Sequence, residues 1–286
     1  MKVTAFSPGH ITGFFEICPG KDALSTGSRG AGVCISLGAT SEVQLVPATK
    51  QSVKVTINGK QSRAEVTRAA ISQLIGDTGM RVNIVTELDL PIGQGFGMSA
   101  AGTLSAAIAT AYVMGRERQE AFEAAHIAEI ECGCGLGDVS AIHRGGVTIR
   151  TRPGLPPKGE VLRVDGDREI VLAIIGKKLL TKEILENEKT RNEINSKGAG
   201  LLDSMVKDQT IERLMVNSRI FAIESGLATK KLIKAMDLVT GPGMASMSML
   251  GNSLFAIGDV ERIKERLSSV GEVRVCKIDT QGPRLV

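Results

Sequence analysis

The sequence predicts an α+β fold in two domains. Two observations carry this. The first half reads as strands followed by helices, and the second half interleaves short strands with helices, as an antiparallel sheet does. Between them lies Thr151–Lys158 (TRPGLPPK), the segment richest in turn-forming residues. A chain of 286 residues also exceeds one average domain. The expected division is 1–158 and 159–286.

Each element follows from local pattern. Lys2–Ser7 reads as a strand running into Pro8-Gly9, and Gly32–Leu37 and Glu42–Val46 alternate as half-buried strands. Val53–Ile57 ends at Asn58-Gly59, a type I′ hairpin signal. Ala64–Ile75 has helical apolar spacing, and Arg81–Leu90 is a strand. Ser99–Met114 is a helix of small, uncharged residues, the composition of a helix buried against a sheet. A second helix spans about Gln119–Glu131, broken at Gly133–Gly137, and Val147–Arg150 is a strand. Beyond the proline-rich segment, Gly159–Val164 and Glu169–Ile175 read as strands. Asp208–Glu224 and Thr229–Leu238 read as helices. Ser253–Ile257, a helix from Val260 to Leu267, and Glu272–Ile278 close the chain.

Composition narrows function. Thirty-five basic against 31 acidic residues leave +4, too little to argue for nucleic acid. The absence of Trp and a single Tyr speak against a base-stacking platform. The five cysteines are odd in number and scattered, which fits thiols of the cytosol better than a disulfide framework or a zinc site. No apolar run is long enough for a membrane span, so a soluble cytoplasmic protein is expected.

Pro91-Ile92-Gly93-Gln94-Gly95-Phe96-Gly97-Met98-Ser99-Ala100-Ala101 joins a strand to a helix. Alternate glycines strip side chains from one edge of the loop, so that backbone N–H groups can turn toward an anion. The helix adds its unsatisfied N-terminal N–H groups and its dipole. The chemistry this suits is phosphate binding. A Walker loop would need Gly-Lys-Ser/Thr, which is absent. A dinucleotide fingerprint forced onto Gly95-x-Gly97-x-x-Ala100 would need a following strand, where a helix is expected. A tight turn without a ligand is the remaining alternative. A second cluster, Gly135-Leu136-Gly137-Asp138-Val139 with Gly145-Gly146, sets an acid among glycines. A helix cap and turn would use the same residues.

Together the clusters resemble the GHMP kinase family, whose motif Pro-x-Gly-x-Gly-x-Gly-x-Ser-(Ser/Ala)-Ala is matched by Pro91–Ala101, with Met98 where a Ser is usual. Met249-Leu250-Gly251-Asn252-Ser253 stands for the family's C-terminal glycine motif. The family usually opens with Pro-Gly-Lys, whereas this chain has Pro8-Gly9-His10. That segment, with Gly27-Ser28-x-Gly30-Ala31-Gly32, His126-x-x-Glu129 and Ser246-Met247-x-Met249, is similar to the archaeal-type pantoate kinases.

The resemblance implies an N-terminal domain like the second domain of ribosomal protein S5, a ferredoxin-like C-terminal domain, and a cleft between them. It implies ATP and Mg²⁺, with pantoate as the acceptor. Other GHMP kinases of homoserine, mevalonate or shikimate type, or a non-catalytic binding protein of the same fold, are the alternatives. Pro91, Gly93, Gly95, Phe96, Gly97, Met98, Ser99, Ala100 and Ala101 would line the ATP phosphates. Ser99 and Glu129 would hold the metal, and Asp138 would take the acceptor's proton or orient its hydroxyl. Ser28, His126 and Arg150 are the substrate candidates. For each a bland role also exists: a turn serine, a packed histidine, a solvated strand-end arginine. His10 and His143 are expected to be structural, Arg144 solvated, and the Met244–Met249 run core or cleft lining. The expected partners are small molecules, not nucleic acid or membrane, with room left for a homodimer.

Overall fold

The computed structural model describes residues 2–164, 166–179 and 187–286. Two sheets frame it. At the centre of the first, β1 (Lys2–Cys18) and β2 (Gly27–Pro47) form a long antiparallel pair. The other edge of β2 takes β6 (Val147–Arg152) at Gly30–Val33 and β5 (Met80–Leu88) at Ala39–Pro47. β3 (Ser52–Ile57) lies parallel to β5, with β4 (Lys60–Ser62) turned back on it. That turn holds Asn58 and Gly59 at positive φ, as a primed hairpin requires. The second sheet is antiparallel, in the order β11 (Glu272–Lys277), β8 (Glu169–Ile174), β10 (Ser253–Gly258), β9 (Gly243–Met247).

The strand expected over Lys2–Ser7 does not stop at Pro8-Gly9 but runs on to Cys18. The partner strand β2 carries two additional residues, Ser36 and Leu37, opposite that step, and the bulge lets the pairing continue. For the same reason the two strands expected within 32–46 are one. A second bulge places an unmatched Gly13 on β1, between Thr12 and Phe14. It shifts the alternation, so that Thr12 and Phe15, three apart, both face the cleft.

The proline-rich segment is a hairpin turn between β6 and β7 (Glu160–Val164) rather than a passage between domains. Leu155 in that turn is buried, and its N–H donates to Leu24. The first sheet therefore runs past the expected 158/159 boundary, and it takes back β12 (Arg284–Leu285) on the outer edge of β1. Turn-forming residues mark a chain reversal as readily as a linker.

On one face of the first sheet lie α1 (Glu65–Ile75), α2 (Met98–Met114), α3 (Arg118–Cys132) and α4 (Asp138–Arg144). Their core includes Val43, Ile84, Leu104 and Phe122. α2 is apolar or small almost all round and is buried along most of its length, as its composition predicts. The opposite face meets the second sheet, α5 (Glu188–Lys207) and α6 (Ile211–Glu224) through Phe14, Val33, Ile149, Met205, Leu214 and Phe255. Phe15 and Phe221 tilt against each other at 5.7 Å. α7 (Lys230–Asp237) and α8 (Val260–Ser268) complete the second unit. α6 starts at Ile211, capped by the Thr210 hydroxyl, three residues later than expected. α5 and β9 were not expected.

Candidate active site

A cleft of about 270 Å³ lies where the glycine loop, β1, the α3–α4 turn, β6 and the β9–β10 turn converge. The loop is built as its sequence predicts. Gly93, Gly95 and Gly97 all sit at φ between +65° and +81°. Gly95 also approaches the carbonyls of Ser248 and Met249, and Gly97 the backbone of His10, more closely than any Cβ would allow. The loop is tied down from both sides. His10 N–H donates to Phe96, Gln94 Nε2 to Gly176 and Ser253 Oγ to Gln94. Gly97 opens α2 without a side-chain cap, so first-turn N–H groups remain for a ligand, and Ser99 sits in that turn facing the cleft. Gly93, Gly95, Phe96, Gly97, Met98 and Ser99 line the cleft, whereas Pro91, Ala100 and Ala101 do not: Ala100 and Ala101 are buried under the loop.

Glu129, near the end of α3, is 2% exposed, and its Oε2 has no partner. Burial, then the charge of Asp138, pushes its carboxyl well above the ordinary range, while the Val139 N–H pulls the other way. Gly135 crosses so close to this carboxylate that a Cβ would strike it. A buried acid with one free oxygen, lining the same cleft as Ser99 and a phosphate-type loop, fits a hard cation that takes oxygen ligands.

Arg150 is 1% exposed, and all three of its guanidinium nitrogens lack a partner. The bland alternative, a solvated strand-end arginine, does not hold: the guanidinium lies under Gly137 of the α3–α4 turn. Burial lowers its pKa against the opposing charge of Asp138. Ser28 on β2 is buried at the same wall, and Gly137, lacking a Cβ, leaves room for both side chains. A buried, unsatisfied guanidinium is costly, and a carboxylate ligand would satisfy it.

Asp138 heads α4 and is partly open to the cleft. Its Oδ1 lies 2.8 Å from Nδ1 of His10 and 3.5 Å from the Thr12 hydroxyl. His10, expected to be structural, is thus part of the site. His126 is not in the lining. Its Nε2 lies 3.1 Å from each of the carbonyls of Ala23 and Thr26, where it fastens the turn leading to Gly27-Ser28. His143 packs edge-on against Phe122, as a structural residue does. Arg144 is exposed, and its Nε donates to Val161. Sequence reading also gave no site role to Thr12 and Phe15, and none to Gly135 beyond its place in the second glycine cluster. The signal for the first two was the stretch from His10 to Phe15, where His10 and Thr12 share one strand face.

A glycine cradle at a helix start, a buried acid with a free oxygen in the same cleft, and a second acid near an unpaired arginine define a kinase of small molecules. A family model, GHMP kinases N terminal domain, matches residues 64–146. The chain belongs to the pantoate kinase family within the GHMP kinases. It is 36% identical to the pantoate kinase of Methanocaldococcus jannaschii over 96% of this chain and 99% of that one. It is 32% identical to that of Thermococcus kodakarensis over 100% and 98%. A solved structure described as a phosphotransferase related to the CoA biosynthesis pathway superposes with a TM-score of 0.92, at 30% identity, over 100% of this chain and 99% of that one. The two-domain α+β GHMP fold implied by the motifs is thereby established. Among the described residues no helix is long and apolar enough to cross a membrane.

Proposed function

We propose that the protein transfers the γ-phosphoryl group of ATP to the C4 hydroxyl of pantoate, giving ADP and 4-phosphopantoate for coenzyme A biosynthesis. The observation that carries this reading is Arg150. Its buried guanidinium, unpaired beside Asp138, suits an acceptor bearing a carboxylate close to the reacting hydroxyl. Ser28 adds a hydroxyl to that carboxylate or to the C2 hydroxyl. The gem-dimethyl carbon would meet apolar lining such as Phe15, Leu136 or Leu250.

The loop N–H groups at Gly93–Gly97 and the start of α2 receive the ATP phosphates. Ser99 and Glu129 would hold Mg²⁺, which when bound neutralises phosphate charge. Asp138 accepts the hydroxyl proton as the new O–P bond forms and the β–γ bridge P–O bond breaks, its electron pair leaving with ADP. His126 contributes through the turn that carries Ser28. The protein works in the cytoplasm, as a monomer or homodimer. The test is ADP release with D-pantoate, homoserine, mevalonate and shikimate, with the phosphorylated product located by ³¹P NMR. Turnover of D-pantoate alone is expected. Equal turnover of homoserine, mevalonate or shikimate, or undiminished turnover of a D-pantoate analogue lacking the carboxylate, would defeat the reading.

A further inference from the structure

His10 is wholly buried on β1. Neighbouring glycines make its place: a Cβ on Gly32 would strike the ring, and one on Gly97 would strike its backbone. The ring is held at both nitrogens, Nδ1 by Asp138 Oδ1 at 2.8 Å and Nε2 by Thr148 Oγ1 at 3.3 Å. A carboxylate can only accept, so Nδ1 carries the proton and Nε2 accepts from Thr148. Burial lowers the ring's pKa, Asp138 raises it and the Arg150 charge lowers it again, with a net lowering. The contact is therefore a hydrogen bond from a neutral imidazole, which leaves the charge of Asp138 uncancelled.

That bond makes the two oxygens of Asp138 unequal. Oδ1 is engaged by His10 and approached by Thr12. Oδ2 has no protein donor among the described residues, and the side chain is 29% exposed, toward the cleft. Arg150 is close enough to act electrostatically on both His10 and Asp138, yet it forms no hydrogen bond to either. Two opposite charges left unpaired at one wall would gain by turning toward each other.

We propose that His10 is a positioning residue. It anchors Oδ1, turns Oδ2 onto the acceptor hydroxyl, and keeps the carboxylate from collapsing onto Arg150, so that the base and the anion site stay separate. This rests on the reading of Asp138 as the group that serves the hydroxyl.

The two ring nitrogens allow a paired test. His10→Asn places an amide N–H near Nδ1 and keeps a donor for Asp138. His10→Gln places it near Nε2 and loses that donor. Both lose ring packing, so both should melt earlier; only kcat separates them. His10→Gln should lower kcat about 10²-fold with both KM values little changed, as misplacement of a catalytic group does. His10→Asn should stay within about fivefold of the parent. Added to Asp138→Asn, His10→Gln should cost no more than about a further twofold, because it acts only through that carboxylate. Equal kcat in the two single variants, parental kcat in His10→Gln, or full additivity with Asp138→Asn would overturn the proposal. Parental kcat in Asp138→Asn would remove the base reading and this one together. Loss in Asp138→Asn but not in His10→Gln would remove His10 alone. Should neither single variant fold, ¹⁵N shifts of the histidines in the unaltered protein decide: Nδ1–H on His10 supports the proposal, and Nε2–H refutes it.

Discussion

Among the described residues, buried charges in two regions of this molecule are treated differently. Near the C-terminus Asp279 is 6% exposed and well partnered: Oδ1 accepts from the N–H groups of Gln281 and Gly282, and Oδ2 from Arg284. In the cleft wall, Arg150 and Glu129 are as deeply buried, yet their charged atoms are wholly or partly without partners. A folded chain bears the desolvation of a charge only where something returns it. At Asp279 the chain itself does so. At Arg150 and Glu129 a ligand must. Burial alone does not distinguish a structural charge from a binding one; satisfaction does.

The contrast can be broken most forcefully at Asp138, whose Oδ2 faces the cleft without a protein donor. Asp138→Asn should lower kcat by about 10²-fold or more while substrate KM values move little. Steady-state kinetics decide, and near-parental kcat would take Asp138 out of the chemistry. Next is Arg150→Met, which should raise the pantoate KM about 10²-fold, leave the ATP KM within a few-fold, and hold or raise the melting temperature. A large fall in stability would put Arg150 with the structural charges. Asp279→Ala should do the opposite, costing ~1–3 kcal/mol of stability with kinetics within about twofold. Denaturant titration beside an activity assay checks both halves.

The smallest effect concerns Glu129→Gln without metal. The folded state raises this carboxyl's pKa, so the fold favours its protonated form, and stability is lost as pH rises from the unfolded carboxyl value through the folded one. The Gln variant should therefore match the parent in acid and become the more stable of the two toward neutral pH, by at most ~1.4 kcal/mol per pH unit. Melting curves across that range in chelator read it, and added Mg²⁺ should narrow the gap. A pH-independent difference would mean that the carboxyl is not raised.

Much of the nucleotide side was legible in the sequence, because its signals are local. Alternating glycines can be read as left-handed turns, and a run of small residues as a buried helix. The acceptor side was less so. Whether Arg150 is solvated depends on the α3–α4 turn, whose Gly137 lies against the guanidinium from 13 positions away. His10 and His126 changed places: one was expected to be structural and touches Asp138, the other was expected to bind substrate and holds a turn. Each is decided by a partner 128 or about 100 positions away, which periodicity does not report. α5 was hidden by Gly198 and Gly200, which look like a turn. Gly198 is there because α5 lies against the backbone of Phe15 too closely for a side chain.

The return of β12 to β1 bears on how the cleft can move. The second sheet is joined to the first at two places, between Val164 and Glu169 and again between Lys277 and Arg284. A panel fixed at two points cannot swing open like a door on a single pin. Between the two crossings a shared apolar core and the backbone bonds of Asp279 to Cys34 and Gly146 hold the sheets together, so the loop at Gly93–Gly97 and the turn at Met249–Gly251 are kept against each other. Deleting Arg284–Val286 would remove the pairing of β12 with β1 but leave the seam at Ile278 and Asp279, so the second sheet would stay anchored.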